Sequence, residues 1–452
     1  MADLPPKPAP RPDKVSLWRY MKLFRQDILS AQPARLYRAW MAAFKTPFFR
    51  SFMVNDPKLI NIVLKERPDD FPKSDRVGAG LRPLLGQSVF LTNGDLWKRQ
   101  RRIIDPAFEG GRLKEAYPAM WDAAEAAVAR LEARAGTGPF DIEPEASHAA
   151  ADVIFRTLFS IPIEHRLAAQ VFDEFQAHQR SQPILNLAAF VPGPSWMPRF
   201  FSAETKRTAA RIRALITELV DARAAEIAAG RAPDDLATKI MTMADPVTGE
   251  RFTPSEMVDQ VAIFFLAGHE TSASALAWTL YLLATHPDWQ EKVAEEAAGL
   301  GPAFSDLSKL KVTRDVFREA LRLYPPVPMM VREATRTETF RERAVRKGAQ
   351  IVLSPWHLHR HERMWEAPDA FDPARWQTDA GRATAREAYM PFSSGPRVCT
   401  GAGFAMAEGV LMTARIVAAF KVSASGAPPV PVAHLTVRSR DGITLRFRRR
   451  TG

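Results

Sequence analysis

The chain has 452 residues, 46% hydrophobic and 25% charged, the balance of a globular protein with a sizeable core rather than of a disordered chain. Its single cysteine excludes an internal disulfide framework and a cysteine-built zinc site, and it fits a reducing, cytoplasmic location. A formal net charge of +11 brings an acidic partner into view, but the excess is scattered, and no module with interleaved aromatics accompanies it, so nucleic-acid binding is not expected.

Residues 1–14, "MADLPPKPAPRPDK", have neither the apolar core of a signal peptide nor a transmembrane run, and read as a flexible Pro-rich arm before a single domain over 15–452. "FFRSFMVND" is strand-like. In "GDLWKRQRR", Trp97 and Arg101 stand four apart and so share one helix face. "MWDAAEAAVARLEARAG" and "KRTAARIRALITELVDARAAEIAAGR" are periodic, Ala-rich and closed by glycine, as amphipathic helices should be. Between them Ile184 to Phe201 is unusually apolar for a loop, which suits substrate access, membrane contact or core packing alike.

At Thr253 "TPSE" forms a capping box with proline in the first turn, and no breaker follows until Pro287. About thirty residues at ~1.5 Å each span roughly 45 Å, so this helix must be central. Its middle reads "AGHET", Ala267 to Thr271, and polar groups in so apolar a run ask for a reason. "EALR" sets Glu319 and Arg322 on one helix face, and "FDPARW" contributes Arg375. "AQIVLS", Ala349 to Ser354, is a short strand. In "HLHRH", His357, His359 and His361 alternate, an arrangement that could bind metal only on an extended strand, and few carboxylates converge with them. The closing "HLTVRSRDGITLRFR" carries an Asp441-Gly442 hairpin turn, and Arg446 to Arg450 read as the end of a last strand.

The only cysteine lies in "PFSSGPRVCTGAG". A thiolate needs nearby positive charge or N–H donors, which Arg397 and a turn at Gly395 can supply, whereas a lone cysteine is otherwise more often inert. Phe392, Gly395, Arg397, Cys399 and Gly401 spell F-x-x-G-x-R-x-C-x-G, which resembles the haem-binding loop of the cytochrome P450 family. The resemblance implies a mainly α fold with a minor β region, in which haem b lies between the long central helix and the cysteine loop. Cys399 becomes the axial ligand of the haem iron, Arg397 a propionate partner, and Trp97, Arg101 and Arg332 of "YPPVPMMVRE" further propionate partners. Glu319, Arg322 and Arg375 resemble the family's buried Glu-Arg-Arg triad, against the plainer reading of a surface salt bridge. "AGHET" resembles the family's A-G-x-E-T signature. It implies that Gly268 lets the haem plane approach and that Glu270 and Thr271 relay protons to bound oxygen, where a local ion pair and a helix back-bond are the plainer readings. His269 has no role in that pattern beyond packing or hydrogen bonding.

The expected function is therefore that of a haem-thiolate monooxygenase inserting one atom of O2 into a lipophilic molecule, with fatty acids, terpenoids and steroids all open. Phe90 and Ala267 are the expected pocket residues. No flavin or iron–sulfur domain follows, so electrons are expected from a ferredoxin and its reductase, docking on a basic face of Lys98, Arg99 and Arg102. A monomer without a transmembrane segment is expected. The alternative is a haem-thiolate protein that does not activate O2, either a peroxide-dependent isomerase or dehydratase or a haem sensor; a helical interaction protein without cofactor leaves the motifs unexplained.

Overall fold

The computed structural model describes residues 4–45, 50–181, 201–433 and 435–450, and most of them are helical. The central helix runs Pro254–Thr285 with both halves of the expected capping box formed: the Glu256 amide donates to Thr253 Oγ1, and the Thr253 amide to the Glu256 carboxylate. Pro287 opens the next helix, as the breaker required. Nearly the whole central helix is buried, because helices Glu143–Phe159, Ala203–Ala228, Lys311–Leu323 and Ala402–Ala419 all pack on it. The last of these, just after Cys399, is long and apolar enough to cross a membrane by length and composition alone, but here those apolar residues face the core.

The main sheet has strand order Met41–Lys45, Arg50–Val54, Gln350–Leu353, Met330–Glu333, with the middle pair parallel and the outer pairs antiparallel. Strand-like "FFRSFMVND" and "AQIVLS" thus become neighbours, with Phe52 opposite Ile351. A second sheet orders Phe140–Asp141, Thr444–Arg449 and Phe420–Ala424. The Asp441-Gly442 turn is formed, with Gly442 at φ 81°, but it does not make the expected hairpin. Strand Val437–Ser439 before it pairs with Pro431–Ala433, while the strand after it pairs with Phe420–Ala424, so the turn passes the chain between two sheets.

The N-terminal arm also differs from expectation. Instead of hanging free, residues 4–14 are tied to the body: the Arg11 guanidinium donates to the Ala31 carbonyl and its amide to the Gln32 carbonyl, and the Tyr324 hydroxyl donates to the Pro6 carbonyl. Pro5 and Pro8 are buried, which explains why a segment of extended, proline-stiffened backbone holds one conformation. Most of the Ile184–Phe201 stretch lies outside the described residues; Phe201 alone is described, and it lines the main cavity.

Glu319, Arg322 and Arg375 form the expected buried triad, with Glu319 and Arg322 both 0% exposed. Glu319 accepts from both guanidinium groups at 2.8–2.9 Å and from the Asp372 amide. Arg322 then donates to the carbonyls of His359, Pro368 and Ala370, and Arg375 to those of Glu366 and Ala367. Breaking such a cluster strands buried charge, at a cost of about 3–5 kcal/mol. Glu319→Ala is therefore expected to lose about that much in denaturant unfolding of the purified protein, and a loss below about 1 kcal/mol would show that the two arginines find other compensation.

Candidate active site

Cys399 sits in a loop shaped by hydrogen bonds within the motif. Its amide donates to the Phe392 carbonyl at 2.9 Å, the Val398 amide to the Gly395 carbonyl, and the Ala402 amide to the Cys399 carbonyl. Gly395 has φ 72°, and a Cβ there would meet the Leu64 carbonyl oxygen at 1.9 Å, so both conformation and space demand glycine. Cβ atoms at Gly401 and Gly403 would meet no protein atom within 4 Å, and Gly401 faces the cavity. The Cys399 sulfur reaches a cavity of about 1930 Å3 while protein encloses the residue on its other sides. Burial pushes the thiol up; the Gly401 amide and the charges of Arg101 and Lys73 oppose that rise.

Around the same part of the cavity converge Lys73, Trp97, Arg101, Arg332 and Arg397. Arg397 stacks 4.1 Å from the Trp97 ring and donates to the Thr92 carbonyl and Asn93 Oδ1. Arg332 is 4% exposed, and its guanidinium donates to the neighbouring Val331 carbonyl. Burial holds both Arg332 and Arg397 down to about 10, and Lys73 falls further through burial and the repulsion of the three arginines. Lys73 is paired across a β-bridge with Arg332, and its ammonium donates to the Phe90 carbonyl and lies 3.8 Å over the Phe90 ring. Arg101 is placed differently from a simple cofactor contact: it pairs with Asp105 and donates to the Val398 carbonyl, while Thr400 also donates to Asp105. Arg101 thus braces the cysteine loop from helix Gly94–Ile104.

On the central helix, Ala267 is exposed to the cavity and Thr271 lines it, its hydroxyl donating to the Ala267 carbonyl at 2.6 Å. Glu270 is 6% exposed; Thr436 donates to it at 3.1 Å, and burial raises its pKa despite the nearby Arg438 charge. Gly268 lines the cavity too, but a Cβ on it would run into Ile154 of helix Glu143–Phe159 at 2.2 Å. The close approach it permits on the protein side is therefore between two helices, where a haem plane was expected. His269 meets expectation: it is fully buried, bonded to Ser147 at 2.6 Å and held neutral at about 3 by desolvation.

Several expectations change. The "HLHRH" histidines do not alternate along a strand: His357 lies in the helical turn Pro355–Leu358, His359 caps it and His361 follows it, and their partners diverge, since His357 bonds Ser354, His359 accepts from the Met390 amide, and His361 stacks on Trp40. The basic face of Lys98, Arg99 and Arg102 is largely neutralised. Arg99 pairs with Glu256 at 2.7 Å and Arg102 with Asp245 at 2.6 Å, while Lys98 reaches Asp69 only at 3.5 Å. Sequence reading missed Lys73, for which no local pattern exists, and Glu408. The latter had a signal, being a single carboxylate within the apolar run Ala402–Ala419, the same kind of anomaly as "AGHET". Glu408 lines the cavity, accepts from Ser272 at 2.9 Å and is raised to about 8 by burial.

A cysteine loop facing a buried central helix across one cavity, with cations gathered beside the cysteine, defines a haem-thiolate class of protein. The sequence pattern of the family Cytochrome P450 matches residues 37–445, and the chain belongs to that family. Human "Cytochrome P450 4A11" is 30% identical over 419 residues, covering 87% of this chain and 79% of that protein. "Cyclooctat-9-en-7-ol 5-monooxygenase" of Streptomyces melanosporofaciens is 31% identical over 392 residues, covering 84% and 81%. The crystal structure of the cytochrome P450DA heme domain aligns with a TM-score of 0.79 at 26% identity, covering 99% of this chain and 98% of that one. The chain is an oxidoreductase of the P450 monooxygenase class, and the family implies a haem cofactor.

The residues fit that cofactor. Buried Arg332 and half-buried Lys73 and Arg397 have no carboxylate hydrogen-bond partner among the described residues, which suits a doubly anionic group such as a pair of propionates. The sulfur stands where a metal cation would reverse the effect of burial and keep it ionised. The cavity volume also exceeds the roughly 300–1,000 Å3 of a single-ligand pocket, leaving room for a planar cofactor and a substrate together.

Two outcomes follow from this geometry. Gly395→Ala must displace the cysteine loop, so most of the thiolate-type haem spectrum should vanish while far-UV circular dichroism keeps its helical signal; a parent-like spectrum would mean that the loop tolerates the clash. Glu408 binds its proton more tightly folded than unfolded, so it costs stability as pH rises from its ordinary 4.5 to about 8 and no more above that. The unfolding free energy of Glu408→Gln should therefore gain on the parent's between pH 5 and 8, by at most about 1.4 kcal/mol per pH unit, and a pH-independent difference in denaturant unfolding would refute a neutral Glu408.

Proposed function

We propose that this chain is a haem b monooxygenase that inserts one atom of O2 into a lipophilic small molecule. The observation that carries the reading is the cavity itself: Cys399 lies at one side, Ala267 and Thr271 of the central helix also line it, and Val89, Phe108, Phe264 and Leu266 give it an apolar wall. Haem, when bound, supplies an iron centre whose thiolate ligand favours O–O cleavage. Cys399 would furnish that sulfur, and Arg397, Arg332, Lys73 and the Trp97 edge would hold the propionates. Arg101 would act one step back, by fixing the loop. Glu270 keeps a proton on its carboxyl further up the pH scale than an exposed glutamate does, which suits a proton donor beside the cavity. The Thr271 hydroxyl gives its one proton to the Ala267 carbonyl, which fixes the oxygen and leaves both lone pairs free to accept; passing a proton on requires that bond to open.

Substrate binding in this reading is apolar. Phe90 and Ala267 line the cavity, and the named relatives include enzymes of a cyclooctatin series and cytokinin hydroxylases. Their chemistry supports a terpenoid-like or other lipophilic substrate, with fatty acids and steroids equally compatible with the wall. Electrons would come from separate proteins in the cytoplasm, a ferredoxin and its reductase. With Arg99 and Arg102 engaged by Glu256 and Asp245, Lys98 alone of the three remains available to such a partner.

The test is a reduced, carbon monoxide difference spectrum of the purified protein beside Cys399→His. A strongly red-shifted Soret band in the parent alone is expected. No haem, or the same unshifted band in both proteins, would overturn the assignment.

A further inference from the structure

Helix Leu17–Gln26, "LWRYMKLFRQ", contains four cations' worth of basic sequence with its neighbour Lys14 and no acidic residue. Its two sides differ. Tyr20 and Phe24 face inward and line the same cavity that Cys399 reaches, which Arg25 and Gln26 also border while remaining exposed. Trp18, Arg19, Lys22, Arg25 and Gln26 fall at spacings of one, four, seven and eight, a single helix face, and all five are exposed. Trp18 is 79% exposed, more than any other large apolar side chain among the described residues.

The acids flanking the helix do not neutralise this face. Asp13 pairs with Arg35, and Asp27 is buried, accepting from the amides of Leu29, Ser30 and Ala433. Arg19, Lys22 and Arg25 form no ion pair among the described residues. An indole in water beside three uncompensated cations suits an environment that is apolar at one depth and anionic at another. An acidic protein surface would satisfy the cations but press charge against the indole. The headgroup layer of an anionic bilayer satisfies both, since tryptophan is favoured at that depth and basic side chains meet the phosphates.

We propose that the outer face of helix Leu17–Gln26 docks reversibly on an anionic lipid surface, with Trp18 in the headgroup layer and Arg19, Lys22 and Arg25 against lipid phosphates. Ten residues make a small anchor, so the attachment is peripheral and salt-sensitive. The inner side of the same helix then sets the cavity beside the bilayer, where lipophilic molecules concentrate. The docking stands on the helix alone and holds whichever substrate the cavity takes.

Flotation of the holoprotein with vesicles tests it, using phosphatidylcholine alone and phosphatidylcholine mixed equally with phosphatidylglycerol. The parent should float with the mixed vesicles at low salt and not with phosphatidylcholine alone. Arg19→Glu/Lys22→Glu should weaken binding by at least about tenfold and Trp18→Ala by several-fold. None of the three side chains lines the main cavity, so both variants should keep the parent's melting temperature and carbon monoxide spectrum. Equal flotation with the two vesicle types, or equal binding by parent and double variant, overturns the proposal. If the double variant floats like the parent but is reduced more slowly by an acidic electron-transfer protein, the face is a protein-docking surface and the lipid assignment falls.

Discussion

One buried carboxylate organises the approach to the cysteine. Glu319 holds Arg322 and Arg375, and these two guanidinium groups gather five main-chain carbonyls from residues 359–370, a stretch with almost no regular structure of its own. Backbone without a helix or sheet must pair its polar groups some other way when buried, and here the arginines do it. The gathered segment in turn presents His359 to the Met390 amide, one residue before the cysteine motif begins. Charge is used as scaffold: five carbonyl dipoles and one carboxylate compensate two cations that would be prohibitive alone.

What was legible in the sequence was whatever local chemistry controls. Thr253, Pro254 and Glu256 are contiguous, so the start of the central helix could be read directly, and Pro287 marked its limit. The cysteine loop was legible because its glycines answer local needs, as at Gly395. The hairpin at Asp441-Gly442 failed for the opposite reason. A turn signal specifies that the chain reverses, and it says nothing about which strands lie beside it; here each flanking strand found a different partner. Gly268 fits the same pattern, since its neighbour Ile154 lies more than a hundred residues away. So do Arg99 and Arg102, whose carboxylate partners are distant in the chain and invisible to a reading of local charge.

Arg99 shows that these long-range pairs are not incidental to the helix they touch. The Glu256 carboxylate accepts from the Thr253 amide through one oxygen and from Arg99 through the other. The capping box of the central helix is thereby linked to helix Gly94–Ile104, which also carries Trp97 and Arg101. The central helix and the helix bracing the cysteine loop are fixed to each other by Arg99, whose local sequence reads as surface charge.

Desolvation acts on the two sides of the cavity in opposite senses. Near the sulfur it weakens the hold of Arg332, Arg397 and Lys73 on their protons; on the helices it strengthens the hold of Glu270 and Glu408. The cause is the same, since burial penalises charge of either sign. The remedies differ. An anion arriving from outside the chain would relieve the cations, which repel one another and donate to no carboxylate among the described residues. The acids are relieved by keeping a proton. Had the acids stood beside the cations, each would have satisfied the other, leaving neither an attraction for an anionic cofactor nor a protonated carboxyl in reserve. Neither acid acts on those cations, and with Cys399 near Arg101 and Lys73 and Thr271 next to Glu270 on the central helix, one cavity keeps both capacities.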